Sequence, residues 1–428
     1  MLKIGLSIPS IMASEDGSVF VRSGVLRSPF VITRTQAVGD QSSALAADGS
    51  SVTFYGADTP RFNGSAQRLL IEGQRTNVIR NPRGEGAVAG TPGTAPTNWG
   101  LFGTGGVDFN IVGTGTENNL PYVDIRVSGT STTGAGVFIR ADQVYPVAAQ
   151  NQSWTHSVYA RLVSGTLTGT LGFFVTVTEW TSGGAFLDQS SGVYTLTSGA
   201  LSGARLAHTQ TLANATAGLA GSQFGFAVST GIPIDCTFRV AAPQLELGAF
   251  ASSPILPPSA TPGASTRGVD LISATLANLG VTSGITMLWS GLIYQAPATT
   301  GEQTIFQVDD TTLNTRYRLV NEGGSGNILL SRSFGGGTAN AVTPGGVRPT
   351  NSIFKVGMSV DIPAGTAISS LNGGAVATVT GGATSGLTNF RLGNAIGLAD
   401  LFGETARLGI LPYSVPNATL QSLVSALP

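Results

Sequence analysis

The sequence predicts an all-β protein of tandem antiparallel β-sandwiches that ends in a short C-terminal helix. Three observations carry that expectation. Apolar and polar residues alternate with a period of two along most of the 428 residues, the pattern of strands with one buried face. Clusters of Gly, Asn, Asp and Ser break the alternation about every ten residues, the spacing of antiparallel sandwiches and not of parallel α/β units. Helical spacing is convincing in one place, where Leu420, Leu423, Val424 and Leu427 follow the cap residues Pro416 and Asn417.

In chain order, Trp154, His156, Val158 and Ala160 form one face of a strand, with Thr155, Ser157, Tyr159 and Arg161 on the other. Phe173, Val175 and Val177 alternate with Phe174, Thr176 and Thr178, and Phe224, Phe226 and Val228 repeat the pattern. Trp289 shares a strand face with Met287 and Ile293, so it is expected in a core, as is Trp99. Phe354, Val356, Met358 and Val360 oppose Lys355, Gly357, Ser359 and Asp361. Asn372-Gly373 supplies the two positive φ angles of a type I′ hairpin turn.

The length allows two to four domains with real cores. Four regions are expected: residues 1–78 as an attachment region, 79–253 as a first sandwich, 254–263 as a linker, and 264–428 as a second sandwich. The linker assignment rests on stacked prolines, which forbid ladder pairing. The sole cysteine, Cys236, sits in an alternating run, is expected as a buried thiol, and excludes an intrachain disulfide.

Charged residues make up only 11% of the chain and net charge is −1, with no basic cluster, which excludes a nucleic-acid footprint. Lys3 and Lys355 are the only lysines against 20 arginines, a bias toward the residue favoured at planar contacts and interfaces. Residues 1–9 lack the apolar core of a signal peptide. Residues 271–301 carry no charge, but Gly, Ser, Thr and Asn interrupt them too often for a membrane span. No membrane insertion is therefore expected.

Three segments carry a resemblance. Arg61-Phe62-Asn63-Gly64 is followed by Arg68-Leu69-Leu70-Ile71-Glu72-Gly73-Gln74-Arg75-Thr76-Asn77. The second segment spans residues 243–255, and the third Leu408-Gly409-Ile410-Leu411-Pro412-Tyr413-Ser414-Val415-Pro416. Together they resemble the tail-fibre, tailspike and head-spike proteins of phages and gene transfer agents. The first resembles a signature of phage virion proteins. The second resembles the closing strand of their carbohydrate-binding-module-like jelly roll. The third is similar to the last strand and helix of a concanavalin A-like (laminin-G-like) jelly roll. The resemblance implies jelly-roll topology for both sandwiches, a place in a virion, and often glycan binding. Read physically, Leu69–Ile71 is a short buried strand and Glu72 is expected to pair with Arg75.

Catalytic chemistry is sparse. His156 and His208 are the only histidines; with one cysteine they make a soft-metal site improbable, and His156 shares the core face of Trp154. No nucleophile elbow, phosphate loop or zinc-protease motif occurs. A glycan-cleaving enzyme needs paired carboxylates, and Glu179, Asp188, Asp309, Asp310, Glu322 and Glu404 are scattered. Asp309-Asp310 with Asn314 reads as a solvated turn before it reads as a Ca²⁺ loop. Glycan contact needs an exposed aromatic with polar neighbours; Trp180, at a strand end beside Gly183-Gly184, with Glu179 and Asp188, is the candidate set.

The expectation is a non-enzymatic spike or fibre subunit on the exterior of a phage or phage-like particle, made in the bacterial cytoplasm before assembly. It needs no cofactor or metal. Its expected partners are other virion proteins, itself in a cyclic homo-oligomer, and host surface polysaccharide. The alternatives are a purely architectural head-spike-base or tail-tip subunit and a capsule depolymerase.

Overall fold

A computed structural model describes residues 19–35, 42–103, 105–134, 136–203, 205–294, 301–335 and 337–428. Of residues 1–78, expected as an attachment region, 1–18 and 36–41 lie outside the described residues. Among the described residues the chain is all-β, every pairing between strands is antiparallel, and Asn417–Ser425 is the one α-helix. It divides into two compact units: residues 36–56 with 75–267, and residues 1–35 with 57–74 and 268–428.

The 75–267 unit is a sandwich of two five-stranded sheets. One runs in the order Val107–Glu117, Leu120–Thr130, Pro233–Leu247, Ser153–Thr166, Arg205–Thr211. The other runs Phe186–Tyr194, Thr170–Thr181, Ala217–Val228, Gly136–Arg140, Gly100–Phe102. The alternation read from sequence gives the core: Trp154, Val158, Phe173, Val175, Phe224, Phe226 and Phe238 are all buried in one cluster. Phe226 meets Phe173 and Phe238 edge-on at 5.2 Å each, a geometry that adds about 0.5–1.5 kcal/mol per pair to area burial. Trp99 is buried and its indole N–H donates to the Asn81 carbonyl. Cys236 is buried as expected, and burial pushes its thiol up to about 11. Of the residues expected as a linker, Ile255 and Leu256 are fully buried within this unit.

The other unit pairs a seven-stranded sheet with a larger one. The first runs Gly337–Val347, Asn327–Phe334, Arg316–Asn321, Gln303–Asp309, Asn389–Leu392, Leu271–Thr275, Val31–Thr33. The second centres on Gly403–Leu411 and Gly284–Ile293, continued by Phe354–Asp361, Thr366–Leu371 and Val376–Val379. Strands from before residue 78 complete both sheets: Val31–Thr33 pairs Leu271–Thr275, and Val19–Arg22 and Arg68–Ile71 pair Gly403–Leu411. Trp289 lies at the centre of the core with Met287 and Ile293, its indole N–H donating to Thr405 Oγ1 at 2.8 Å. Asn372 and Gly373 take φ of 52° and 77°, as the hairpin turn demands. Leu420, Leu423, Val424 and Leu427 bury one face of the helix end against Leu288, Ile368 and Leu411.

The Arg61–Asn77 segment corrects one expectation. Glu72 pairs with Arg61 at 2.8 Å and not with Arg75, whose Nε lies 3.5 Å from Glu246 Oε2. Residues three apart in extended chain face opposite sides, so Glu72 and Arg75 diverge. Glu72 joins a buried ionic cluster in which Asp270 holds Arg61 at 2.5 Å and Arg34 at 2.7 Å.

Candidate functional site

In the 75–267 unit, the five-stranded sheet carrying Thr170–Thr181 has an outer face rich in aromatic rings. On Gly136–Arg140, Val137 and Ile139 enter the core, so Phe138 and Arg140 point outward. Phe138 is in register with Phe102 and stacks on it at 4.9 Å with an interplanar angle of 20°. On Thr170–Thr181, core residues Phe173, Val175 and Val177 leave Phe174, Thr176, Thr178 and Trp180 outside; the Trp180 N–H donates to Thr178 Oγ1 at 2.8 Å. Trp180 meets Phe186 edge-on at 5.3 Å and Tyr145 at 5.2 Å.

Arg140 joins the two aromatic groups. Its guanidinium lies 4.9 Å from the Phe102 centroid, 5.4 Å from Phe138, 5.5 Å from Trp180 and 5.7 Å from Tyr145. No ion pair involves it among the described residues; the neighbouring Asp142 is engaged by Arg80 at 2.6 Å. Ring faces attract a cation by their quadrupole, so the rings fix Arg140 without neutralising it. Gly221 makes room for this arrangement: a Cβ there would sit 2.4 Å from Thr178 Oγ1 and 3.0 Å from Tyr145 Cε1. Burial raises the Tyr145 pKa above its ordinary value, so the phenol stays a neutral donor. Further along the sheet, Gln223 donates to Gln189 at 3.2 Å and Thr176 bonds Ser191 at 2.7 Å.

This face offers apolar platforms, a fixed unpaired cation and amide groups side by side. Aromatic rings cover the C–H faces of a pyranose, while guanidinium and amide donors reach its hydroxyl or carboxylate oxygens.

Of the three residues singled out from sequence, the structure places Trp180 here and the two carboxylates elsewhere. Glu179 is fully buried and accepts from Asn214 N at 2.8 Å and Asn214 Nδ2 at 3.0 Å. Asp188 is exposed, stands in register with Glu179, and accepts from Gln189 N at 2.8 Å. Adjacent strand residues face opposite sides, so both carboxylates lie across the sheet from the Trp180 ring. Phe102, Phe138, Arg140, Tyr145 and Phe186 were not singled out from sequence. Their signal was the outward Phe-x-Arg of residues 138–140, alternating with Val137 and Ile139.

The remaining carboxylates are engaged. Asp309 holds Arg391 at 2.8 Å, Glu404 holds Arg68 at 3.1 Å, and Asp310 accepts from the Thr312 N–H and hydroxyl in a turn. His156 is buried with Nδ1 3.1 Å from the Thr176 carbonyl, and burial lowers its pKa to about 4. His208 is its cross-strand neighbour and bonds Ser190 Oγ at 2.9 Å. Among the described residues no group of three His, Cys, Asp or Glu could hold a metal ion, and no helix is long and apolar enough to cross a membrane.

No family model and no curated protein matches the sequence. Among solved structures, the chain is similar to the carbohydrate-binding module (CBM40) of a Ruminococcus gnavus sialidase bound to α2,3-sialyllactose, at 16% identity over 35% of this chain and 86% of that one, with a TM-score of 0.29. It is also similar to domain 4 of a Geobacillus stearothermophilus extracellular arabinanase in complex with arabinotriose, at 19% identity over 36% and 73% of the two chains, TM-score 0.31. A third is the binding domain of botulinum neurotoxin DC in complex with rat synaptotagmin II, at 9% identity over 37% and 40%, TM-score 0.28.

Proposed function

We propose that this chain is a structural subunit of a spike or fibre on the exterior of a phage or phage-like particle, and that it binds host surface glycan through the outer face around Arg140. The observation that carries the glycan reading is the unpaired Arg140 guanidinium set among Phe102, Phe138, Tyr145 and Trp180. The particle reading is supported by the Arg61–Asn77 segment, whose charged residues are built into the fold, and by a surface with few charges. Such a surface suits close packing with other particle proteins and with copies of the chain in a cyclic oligomer.

Glu179, Asp309 and Glu404 are each engaged by neighbouring side chains, which counts against these three as a depolymerase pair. The architectural alternative differs only in lacking the ligand.

A glycan array carrying host capsule and lipopolysaccharide fragments tests the reading on the whole chain. Wild type is expected to bind, and Trp180→Ala to weaken binding about tenfold, or 1.4 kcal/mol, with an unchanged melting temperature. Absence of wild-type binding across host-derived glycans removes the adhesin half. Labelling the chain in purified particles tests the location; its absence from the particle exterior would overturn that part.

A further inference from the structure

The sheet behind the Arg140 face is almost without charge. Its five strands, Gly100–Phe102, Gly136–Arg140, Thr170–Thr181, Phe186–Tyr194 and Ala217–Val228, carry Arg140, Glu179 and Asp188 as their only charged residues. The two acids face the other side of the sheet from Trp180, so Arg140 is the one charge these strands present outward. Register surrounds it with uncharged rows. Phe102, Phe138, Gly225, Phe174 and Val193 stand opposite one another on one side of it. Leu219, Trp180 and Phe186 stand opposite one another on the other side.

The face is open to a ligand. Phe186 is 52% exposed, and Phe102, Phe138, Arg140, Tyr145 and Trp180 are all partly exposed. The contacts of the Arg140 guanidinium among the described residues are the four rings of Phe102, Phe138, Trp180 and Tyr145. Rings attract the cation through their π faces and accept none of its N–H groups as a carboxylate would. The acid nearest in the chain is closed: Asp142 accepts from Arg80 Nε at 2.9 Å, Arg80 Nη2 at 2.6 Å and the Val144 N–H at 2.9 Å. A sugar hydroxyl takes one ordinary hydrogen bond from such a guanidinium. A carboxylate takes two parallel, charge-assisted bonds, each roughly twice as strong.

We propose that this face selects a carboxylate-bearing pyranose within a host polysaccharide. The carboxylate lies on the Arg140 guanidinium, and the sugar ring lies against Trp180 and Phe186. This rests on the glycan-binding reading of the same face and names the class of sugar it takes. The missing acid on an otherwise uncharged surface sets the class, and the exposed rings on either side supply the apolar contact that a small anion alone would not use.

Affinity electrophoresis of the whole chain tests this, in gels containing polygalacturonate, hyaluronate or polysialate, each run beside its carboxyl-reduced counterpart. Wild type is expected to be retarded by at least one acidic polymer and about tenfold more weakly by the reduced form of that polymer. Arg140→Gln is expected to lose about tenfold toward the acidic polymer and nothing toward the reduced one. Arg140→Lys, which keeps the charge without the planar fork, is expected to fall between wild type and Arg140→Gln. Arg22→Gln, which removes an exposed charge from the other unit, is expected to leave retardation unchanged. Equal retardation by an acidic polymer and its reduced form would overturn the proposal and leave the face as a site for neutral glycan. Wild-type behaviour of Arg140→Gln, or an equal loss in Arg22→Gln, would overturn it as well, the second by tracing the effect to overall charge. If none of the acidic polymers retards the chain the proposal also fails, and binding to neutral host glycans on the array then decides the broader reading separately.

Discussion

Replacing Asp270 by Ala should cost this protein more than any ordinary surface change. Asp270 is fully buried and both its oxygens are engaged, Oδ1 with Arg34 at 2.7 Å and Oδ2 with Arg61 at 2.5 Å. Oδ2 also accepts the Glu72 backbone N–H at 2.9 Å. Without Asp270, Arg61 keeps Glu72 while the buried Arg34 loses its ion pair with Asp270. Removing one partner of a buried pair costs about 3–5 kcal/mol, because the remaining charge loses compensation it cannot regain from water. Against a usual total of about 5–15 kcal/mol, that is a large fraction of a domain's stability. Urea denaturation followed by circular dichroism reads it as a fall in midpoint at constant slope. The loss should persist in 1 M NaCl, since buried pairs are little screened. Replacing Arg34, Arg61, Glu72 and Asp270 together by apolar residues of similar volume should be far milder than Asp270→Ala alone. A loss below about 1 kcal/mol for Asp270→Ala, or one abolished by salt, would refute a desolvated cluster.

Two further outcomes follow from single residues. His156 has a folded pKa of about 4 against 6.5 unfolded, so its neutral form is favoured in the fold; the contribution is present above pH 6.5 and lost as pH falls from 6.5 toward 4, by about 3 kcal/mol at most. Denaturation curves across that window should fall more steeply for wild type than for His156→Gln, and parallel curves would count against this. Gly373→Ala should lower the melting temperature, since Gly373 holds φ at +77° and an added Cβ would lie 2.8 Å from Ser425 Cβ; a loss of at least about 1 kcal/mol is expected, and an unchanged transition would contradict the turn geometry.

What the sequence makes legible here is what local periodicity encodes. Trp289, the Asn372-Gly373 turn and the helix after Pro416 were readable because each signal lies within a few residues. The contributions of Val19–Arg22, Val31–Thr33 and Arg68–Ile71 to sheets centred beyond residue 268 were not readable, because pairing across more than 200 residues leaves no local mark. The same limit hides the Arg140 site, whose members run from Phe102 to Phe186 and meet through strand register and the loop that carries Tyr145. One part of that site was within reach. Glu179 and Trp180 are consecutive in a strand, so they could not serve one ligand from one face.

The arginine bias acquires a physical meaning from where the side chains end. Arg34, Arg61, Arg267 and Arg348 are among the largest fully buried side chains, positions where a compact ammonium would lack the planar fork that satisfies several acceptors at once. With so few acids in the chain, each carboxylate drawn into such a cluster is unavailable to neutralise a cation elsewhere. Arg140 is left without an ion pair among the described residues and projects from a strand on the side away from its core. Its guanidinium is held at a defined place by rings and not by a carboxylate. A guanidinium held by ring faces keeps N–H donors that no carboxylate occupies. A ligand oxygen can engage those donors, which is why Arg140, and not the buried arginines, is the position at which binding should be sought.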